Sequence, residues 1–216
     1  FSGTHQIKTV DGLDTPELDA RLLVQGILGI RHEELLLNSN RLITDSECEK
    51  LTAAARRRGL REPVSRILGI RSFWKSEFKV SRETLDPRAD SETLVEAVMA
   101  HVNKEKPLTI LDLGTGSGCL LLSVLQELPQ ATGVGVDISA DAIQTAQQNA
   151  ESLRLYQRAS FVVSDWNRRE AGQLFDVVIS NPPYIANAEI EKLEPEVRQY
   201  DPLRAIAGGV AGLDCY

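Results

Sequence analysis

Cysteine, histidine and positive charge are all in short supply in these 216 residues. Three cysteines (Cys48, Cys119, Cys215) stand far apart with no C-x-x-C pair, and three histidines (His5, His32, His101) are equally scattered. Such spacing supports neither a disulfide framework nor a zinc site, so no metal is expected and the thiols are read as reduced and structural. No apolar run approaches the roughly 20 residues that a membrane helix needs, and the opening FSGTHQIKTVDG lacks a basic-then-apolar signal pattern. A cytoplasmic protein with no membrane partner is expected. With 24 Lys+Arg against 31 Asp+Glu the formal net charge is −7, which argues against a surface built to hold a phosphate backbone. Small molecules or proteins are the expected partners, and a monomer the expected state. What is present is the balance of a soluble globular chain, 42% hydrophobic and 25% charged, long enough for one ordinary domain and a small one. The chain opens without Met and stops at GGVAGLDCY, so trimmed ends are expected.

Three regions follow in order. Residues 1–72 read as a small helical bundle. Thr15-Pro16-Glu17 offers a cap, a first-turn proline and an acidic first turn, and Thr44-Asp45-Ser46-Glu47 has the spacing of a capping box, opening a helix that stops at Gly59. Arg56-Arg57-Arg58 could touch nucleic acid, but cations at a helix C-terminus are favoured by the backbone dipole alone, and that structural reading is preferred. Residues 73–90, within ILGIRSFWKSEFKVSRETLDP, alternate as a hairpin joining two domains does. Residues 91–216, after the helix start Asp90-Ser91-Glu92, alternate strand and helix: LTILDLG, TGVGVD, ASFVVSD and FDVVISN are short Val/Ile-rich strands, with helices at about 118–128 and 139–152. That pattern means a parallel sheet wound by right-handed crossovers, an α/β Rossmann-like fold.

Four strand ends carry the chemistry. The first enters Gly114-Thr115-Gly116-Ser117-Gly118, where glycines let the backbone approach a ligand closely. The spacing is G-x-G-x-G and not the dinucleotide G-x-G-x-x-G, which weakens a nicotinamide or flavin reading. At the second end stands Asp137, which can accept hydrogen bonds from both hydroxyls of a ribose. Alone, a glycine turn and an acidic strand end are common in α/β sheets; together they suggest a nucleoside. Asp165 at the third end can meet an adenine amino group, and Trp166 can cover the adenine face or simply pack on the next loop. The fourth end, Ser180-Asn181-Pro182-Pro183-Tyr184, is a turn stiffened by two prolines. It offers the Asn181 amide and the Pro182 carbonyl to a planar N–H₂ group, with Tyr184 as a stacking or walling ring. Ligands of open α/β sheets bind at the carboxyl ends of strands, so all four motifs converge on one pocket. The tetrapeptide alone leaves a glutamine amide and an adenine amino group both possible.

The run LDLGTGSG, Asp137, SDW and SNPPY together resemble class I S-adenosylmethionine-dependent methyltransferases acting on planar amino groups. PVSRILGIRSFW, TLDPRADSETLV and YDPLRAIAGGVAGLDCY narrow the resemblance to the HemK/PrmC-type release factor glutamine methyltransferases, over nearly the whole chain. The resemblance implies methyl transfer from S-adenosyl-L-methionine, leaving S-adenosyl-L-homocysteine, to N(5) of the glutamine in the GGQ motif of peptide-chain release factors, supporting translation termination. It implies that Gly114 to Gly118 line the methionine and ribose part of the cofactor, Asp137 bonds the ribose and Trp166 sits by the adenine. Asn181 and the Pro182 carbonyl would hold the glutamine amide, with Pro183 and Tyr184 shaping its slot. The helical domain becomes a substrate-recognition domain, and Arg88, Asp90 and Glu92, matching the family's PRPDTE, cover the cofactor side. Asp86 and Ala89 depart from that pattern, so a looser loop is expected. The family's sheet has seven strands in the order 3-2-1-4-5-7-6; four are recognisable here, so a C-terminal truncation of the methyltransferase domain is expected. The rivals are adenine methylation of DNA or RNA and a catalytically silent cofactor-binding subunit.

Overall fold

A computed structural model describes residues 13–37, 40–165 and 174–216. The chain folds as two compact units, residues 1–69 and residues 70–216.

In the first unit, helix α1 (Pro16–Leu28) begins at its proline and ends on Gly29 in the left-handed conformation, although Thr15 makes no side-chain cap bond. A short α2 (His32–Leu37) leads to α3 (Asp45–Gly59), where the capping box is complete: the Glu47 N–H donates to the Thr44 hydroxyl and the Thr44 N–H to the Glu47 carboxylate. With α4 (Val64–Leu68), these helices bury Ala20, Leu23, Ala54 and Ala55, packed by Ile27, Val64 and Ile67. Two of the three consecutive arginines are spent on structure. Arg57 forks onto Glu62 through two hydrogen bonds of 2.7 and 2.5 Å, and Arg58 meets Asp19 of α1 at 2.8 Å with its side chain 8% exposed.

The second unit opens on an antiparallel hairpin, β1 (Ile70–Phe73) and β2 (Ser76–Lys79). Residues 73–90 are expected from sequence as a linker, and the hairpin departs from this in place and role. It lies earlier, and its Phe73 and Phe78 rings meet edge to face at 6.2 Å inside the core that holds Val95, Leu121 and Leu125. Two buried aromatic rings anchor it too firmly for a spacer.

After α5 (Glu92–His101) comes the strand-helix alternation: β3 (Thr109–Leu113), α6 (Cys119–Glu127), β4 (Thr132–Asp137), α7 (Ala140–Ser152), β5 (Ala159–Val163) and β6 (Val177–Ser180). The four strands are all parallel in the order β5-β4-β3-β6, the same as the opening 3-2-1-4 of the seven-strand order. Helix α6 is apolar nearly all round because it is covered on all sides, with Leu120, Leu121, Leu122, Val124 and Leu125 buried. Each such side chain contributes about 1.5–3 kcal/mol of transfer free energy. The chain runs outward from the centre at β3 to β5 and returns to β6 on the other flank. The carboxyl ends beside β3 are therefore the switch point where open α/β sheets hold their ligands. Two short helices follow, α8 (Pro195–Tyr200) and α9 (Leu203–Ile206).

Candidate active site

β3 passes directly into the glycine turn at the head of α6. Gly114, Gly116 and Gly118 have φ of +72°, +55° and +78°, a region where a Cβ is strained. The N–H groups of Gly114 and Thr115 both donate to the Val136 carbonyl at 2.9 Å, tying the turn to the end of β4. The glycines serve different ends. A Cβ on Gly118 would press on Ala146, Leu122 and Phe161 at 3.1 to 3.3 Å, whereas one on Gly116 would meet only the Gly114 carbonyl, at 4.0 Å. Gly118 is small for inward packing, and Gly116 faces open space that a ligand can fill.

Beneath the turn Asp112 is fully buried, and the Thr115 hydroxyl donates to its Oδ2 at 2.7 Å. Burial pushes its carboxyl up from 3.8 to about 7; the Thr115 bond and the Leu121 N–H pull the other way, and the charge of Asp137 adds to the rise. At the start of α6, burial raises the Cys119 thiol to about 12, which leaves no thiolate at neutral pH and removes it as a nucleophile.

Asp137 is held by both oxygens. Its Oδ2 accepts the Gly116 N–H and its Oδ1 the Ser139 N–H, each at 2.9 Å. Each carboxylate oxygen has two lone pairs, so one acceptor position on each stays available for a diol. Ser139 in turn caps α7, its hydroxyl accepting the Ala142 N–H. The Ser164 N–H donates to the Asp137 carbonyl at 3.0 Å, which brings Asp165 to the same edge as Asp137. Trp166 lies outside the described residues.

Asn149 was not singled out from sequence, yet it knots this half of the site. It is 1% exposed; its Oδ1 accepts the Lys79 N–H at 2.8 Å, and its Nδ2 donates to the Lys79 carbonyl at 3.0 Å and the Ser117 carbonyl at 2.8 Å. A polar residue inside the Ile143, Ala146, Ala150 stripe was its signal, because a buried amide must find partners.

The other half is built on β6. Ser180 pairs with Leu113 across the ladder and its hydroxyl donates to the Leu113 carbonyl at 2.9 Å, setting Asn181 alongside the glycine turn. Asn181, Pro182 and Tyr184 line a cavity of about 650 Å³ with Ser91, Arg88 and Val197. Pro183, Asp137 and the glycine turn are not among its lining residues. The Asn181 Nδ2 donates to the Ser91 hydroxyl at 3.1 Å. Arg88 and Asp90 line this cavity too, and Glu92 accepts the Trp74 N–H at 2.7 Å. The loop before them is moored rather than loose. Asp201, its side chain 1% exposed, pairs with the Arg88 guanidinium and accepts the Asp86 N–H at 3.1 Å.

Behind the Asn-Pro-Pro-Tyr turn runs a glycine-rich buttress that sequence reading passed over except as a family match. The Ile185 N–H donates to Ile206 and the Gly208 N–H back to Ile185; the Asn187 N–H donates to Gly209, at 2.8 to 3.0 Å. Only hydrogen atoms fit at the contact. A Cβ on Gly208 would fall 2.8 Å from the Pro183 carbonyl oxygen, and one on Gly212, whose φ is +74°, 2.4 Å from that of Tyr184.

A parallel sheet with a glycine turn, an acidic second strand end and an Asn-Pro-Pro-Tyr fourth end defines a Rossmann-like methyltransferase domain. Residues 80–195 match the methyltransferase small domain and residues 3–69 the PrmC N-terminal domain. The release factor glutamine methyltransferase of Rhodospirillum rubrum is 50% identical over 207 residues, covering 96% of this chain and 63% of that protein. Those of Bradyrhizobium diazoefficiens and Caulobacter vibrioides are 44% and 40% identical, covering 94% and 95% of this chain and 69% and 71% of theirs. The chain belongs to the release factor glutamine methyltransferase family, and it spans 63% of the length of its R. rubrum relative.

Proposed function

We propose that this protein transfers a methyl group from S-adenosyl-L-methionine to the side-chain amide nitrogen of the GGQ glutamine of peptide-chain release factors, in the cytoplasm and as a monomer. The reading rests on one observation above all: in a chain of this family, the Asn181 turn stands at the same sheet edge as the glycine turn and Asp137. Among the described residues no helix is long and apolar enough to cross a membrane.

The residues present fit the cofactor, since Gly116 faces open space and Asp137 keeps an acceptor on each oxygen. Gly114, Thr115, Gly116, Ser117 and Gly118 would lie against its methionine and ribose, Asp137 would bond the ribose hydroxyls, and Asp165 and Trp166 would meet the adenine. When bound, S-adenosyl-L-methionine supplies a sulfonium methyl of high transfer potential. The protein's share is then positioning. An amide nitrogen is a weak nucleophile because its lone pair is delocalised into the carbonyl. Asn181 Oδ1 and the Pro182 carbonyl would accept its two hydrogens, orienting it and relieving charge as the N–CH₃ bond forms and the S–CH₃ bond breaks, and one of the two protons would then be lost to solvent. Pro183 stiffens the turn and Tyr184 walls the slot. Orientation and exclusion of water of this kind supply several kcal/mol of barrier lowering. The helical unit is the substrate-recognition domain, and the unit from residue 70 onward carries the transfer.

The full-length protein with labelled S-adenosyl-L-methionine is expected to label a release factor and leave duplex DNA unlabelled. Asn181→Ala is expected to lower transfer about a thousandfold, to a rate still readable in single turnover, while cofactor affinity changes less than twofold. Label on DNA alone overturns the assignment.

A further inference from the structure

Ser91 heads helix α5, yet its hydroxyl makes no cap bond there. Serine at that position is normally spent on a free N–H of the first turn. Here the hydroxyl turns instead to Asn181, ninety residues further along, and accepts its Nδ2–H at 3.1 Å. The turn that carries Ser91 is fixed in its own right. The Ser91 N–H donates to the Arg88 carbonyl at 3.0 Å, the Arg88 guanidinium is paired with Asp201, and Asp201 also accepts the Asp86 N–H. The Asp201 side chain is 1% exposed and the Arg88 side chain 38%, so the anchor end of this mooring is buried while the guanidinium keeps contact with solvent.

We propose that Ser91, moored through Arg88 to Asp201, is the positioning residue that turns the Asn181 amide oxygen toward the substrate. The inference rests on the reading of Asn181 as the holder of the glutamine amide. The χ2 torsion of asparagine is broad, so nothing in the side chain itself fixes which end of the amide faces the cavity. The substrate N–H₂ offers hydrogens only. If the Asn181 Nδ2 faced it, two donors would meet and the nitrogen would lose an acceptor. A hydroxyl can donate as well as accept, but here the Ser91 hydroxyl takes up the Nδ2–H, which leaves Oδ1 as the end available to the substrate. The Ser91 bond therefore holds the amide in the productive one of its two orientations.

Four variants of the full-length protein decide it: Ser91→Ala, Ser91→Thr, Asn181→Ala and the Ser91→Ala/Asn181→Ala double variant. Ser91→Ala is expected to lower single-turnover transfer to a release factor about tenfold, the loss of one hydrogen bond to an oriented amide. Its affinity for S-adenosyl-L-methionine and its KM for the release factor should stay within twofold. Ser91→Thr, which keeps the hydroxyl, should recover transfer to within about twofold, and Ser91→Ala should cost nothing further once Asn181 is already Ala. The ¹⁵N side-chain amide resonances of Asn181 in the free protein should shift in Ser91→Ala and stay in place in Ser91→Thr. That readout needs no substrate, so it stands even if wild-type protein labels no release factor, an outcome that would overturn the functional reading alone. Wild-type transfer in Ser91→Ala, independent losses in the double variant, or unmoved Asn181 amide signals overturn the inference.

Discussion

Asp112→Asn is expected to leave the protein progressively more stable than wild type as pH rises from 5 to 8. The folded state holds the Asp112 proton up to about pH 7, while the unfolded chain releases it near 3.8. Between these values the folded state binds more protons than the unfolded one, so wild-type stability falls as pH rises and this contribution is gone above about 7. A gap of that size corresponds to about 4 kcal/mol, of which roughly 2–3 kcal/mol falls between pH 5 and pH 8. Asparagine has no proton to lose there, and its carbonyl oxygen still accepts the Thr115 hydroxyl. Urea unfolding of both full-length proteins across this range measures it. Groups common to both cancel in the difference, so only its slope against pH matters. A difference that stays flat from pH 5 to 8 would mean Asp112 is ionised in the folded protein throughout, and the reasoning from its burial would fail.

Two further substitutions probe the supports of the site. Gly212→Ala combines a strained φ of +74° with a Cβ placed 2.4 Å from the Tyr184 carbonyl oxygen. It should cost about 1–3 kcal/mol of stability and lower transfer more than cofactor affinity, as chemical unfolding and cofactor titration can establish. Asn149→Ala leaves the Lys79 N–H and the Lys79 and Ser117 carbonyls without their amide partner. A loss of about 2–4 kcal/mol is expected, with weaker S-adenosyl-L-methionine binding in calorimetry; an unchanged affinity would show that the glycine turn holds itself.

The parallel sheet was legible because short apolar runs alternate with segments of helical period, and the two crossover helices open on Gly118 and Ser139. Asn181 was legible for a related reason: paired prolines at a strand end have few structural uses. The hairpin's alternation was legible but its burial was not, because alternation tells which face of a strand is apolar and not what covers it; Phe73 and Phe78 are covered by helices that come later in the chain. Ser91 was read only as a helix start, since cap and acceptor are the same residue type and the choice depends on a side chain ninety positions away. The Arg88–Asp201 pair spans a still greater separation, and local sequence carries no trace of it.

The buttress behind the Asn-Pro-Pro-Tyr turn has a consequence for the order in which the protein comes into being. Contacts that tie the glycine turn to Asp137 lie among residues 114–139. Asn181 reaches its final setting only when Asp201, Ile206 and Gly208 to Gly212 have followed it. Synthesis delivers the chain from the N-terminus, and a domain folds as a unit once its parts are present. On the ribosome, the Asn-Pro-Pro-Tyr turn therefore emerges ahead of its backing and takes up its final place only once the chain through Gly212 has followed.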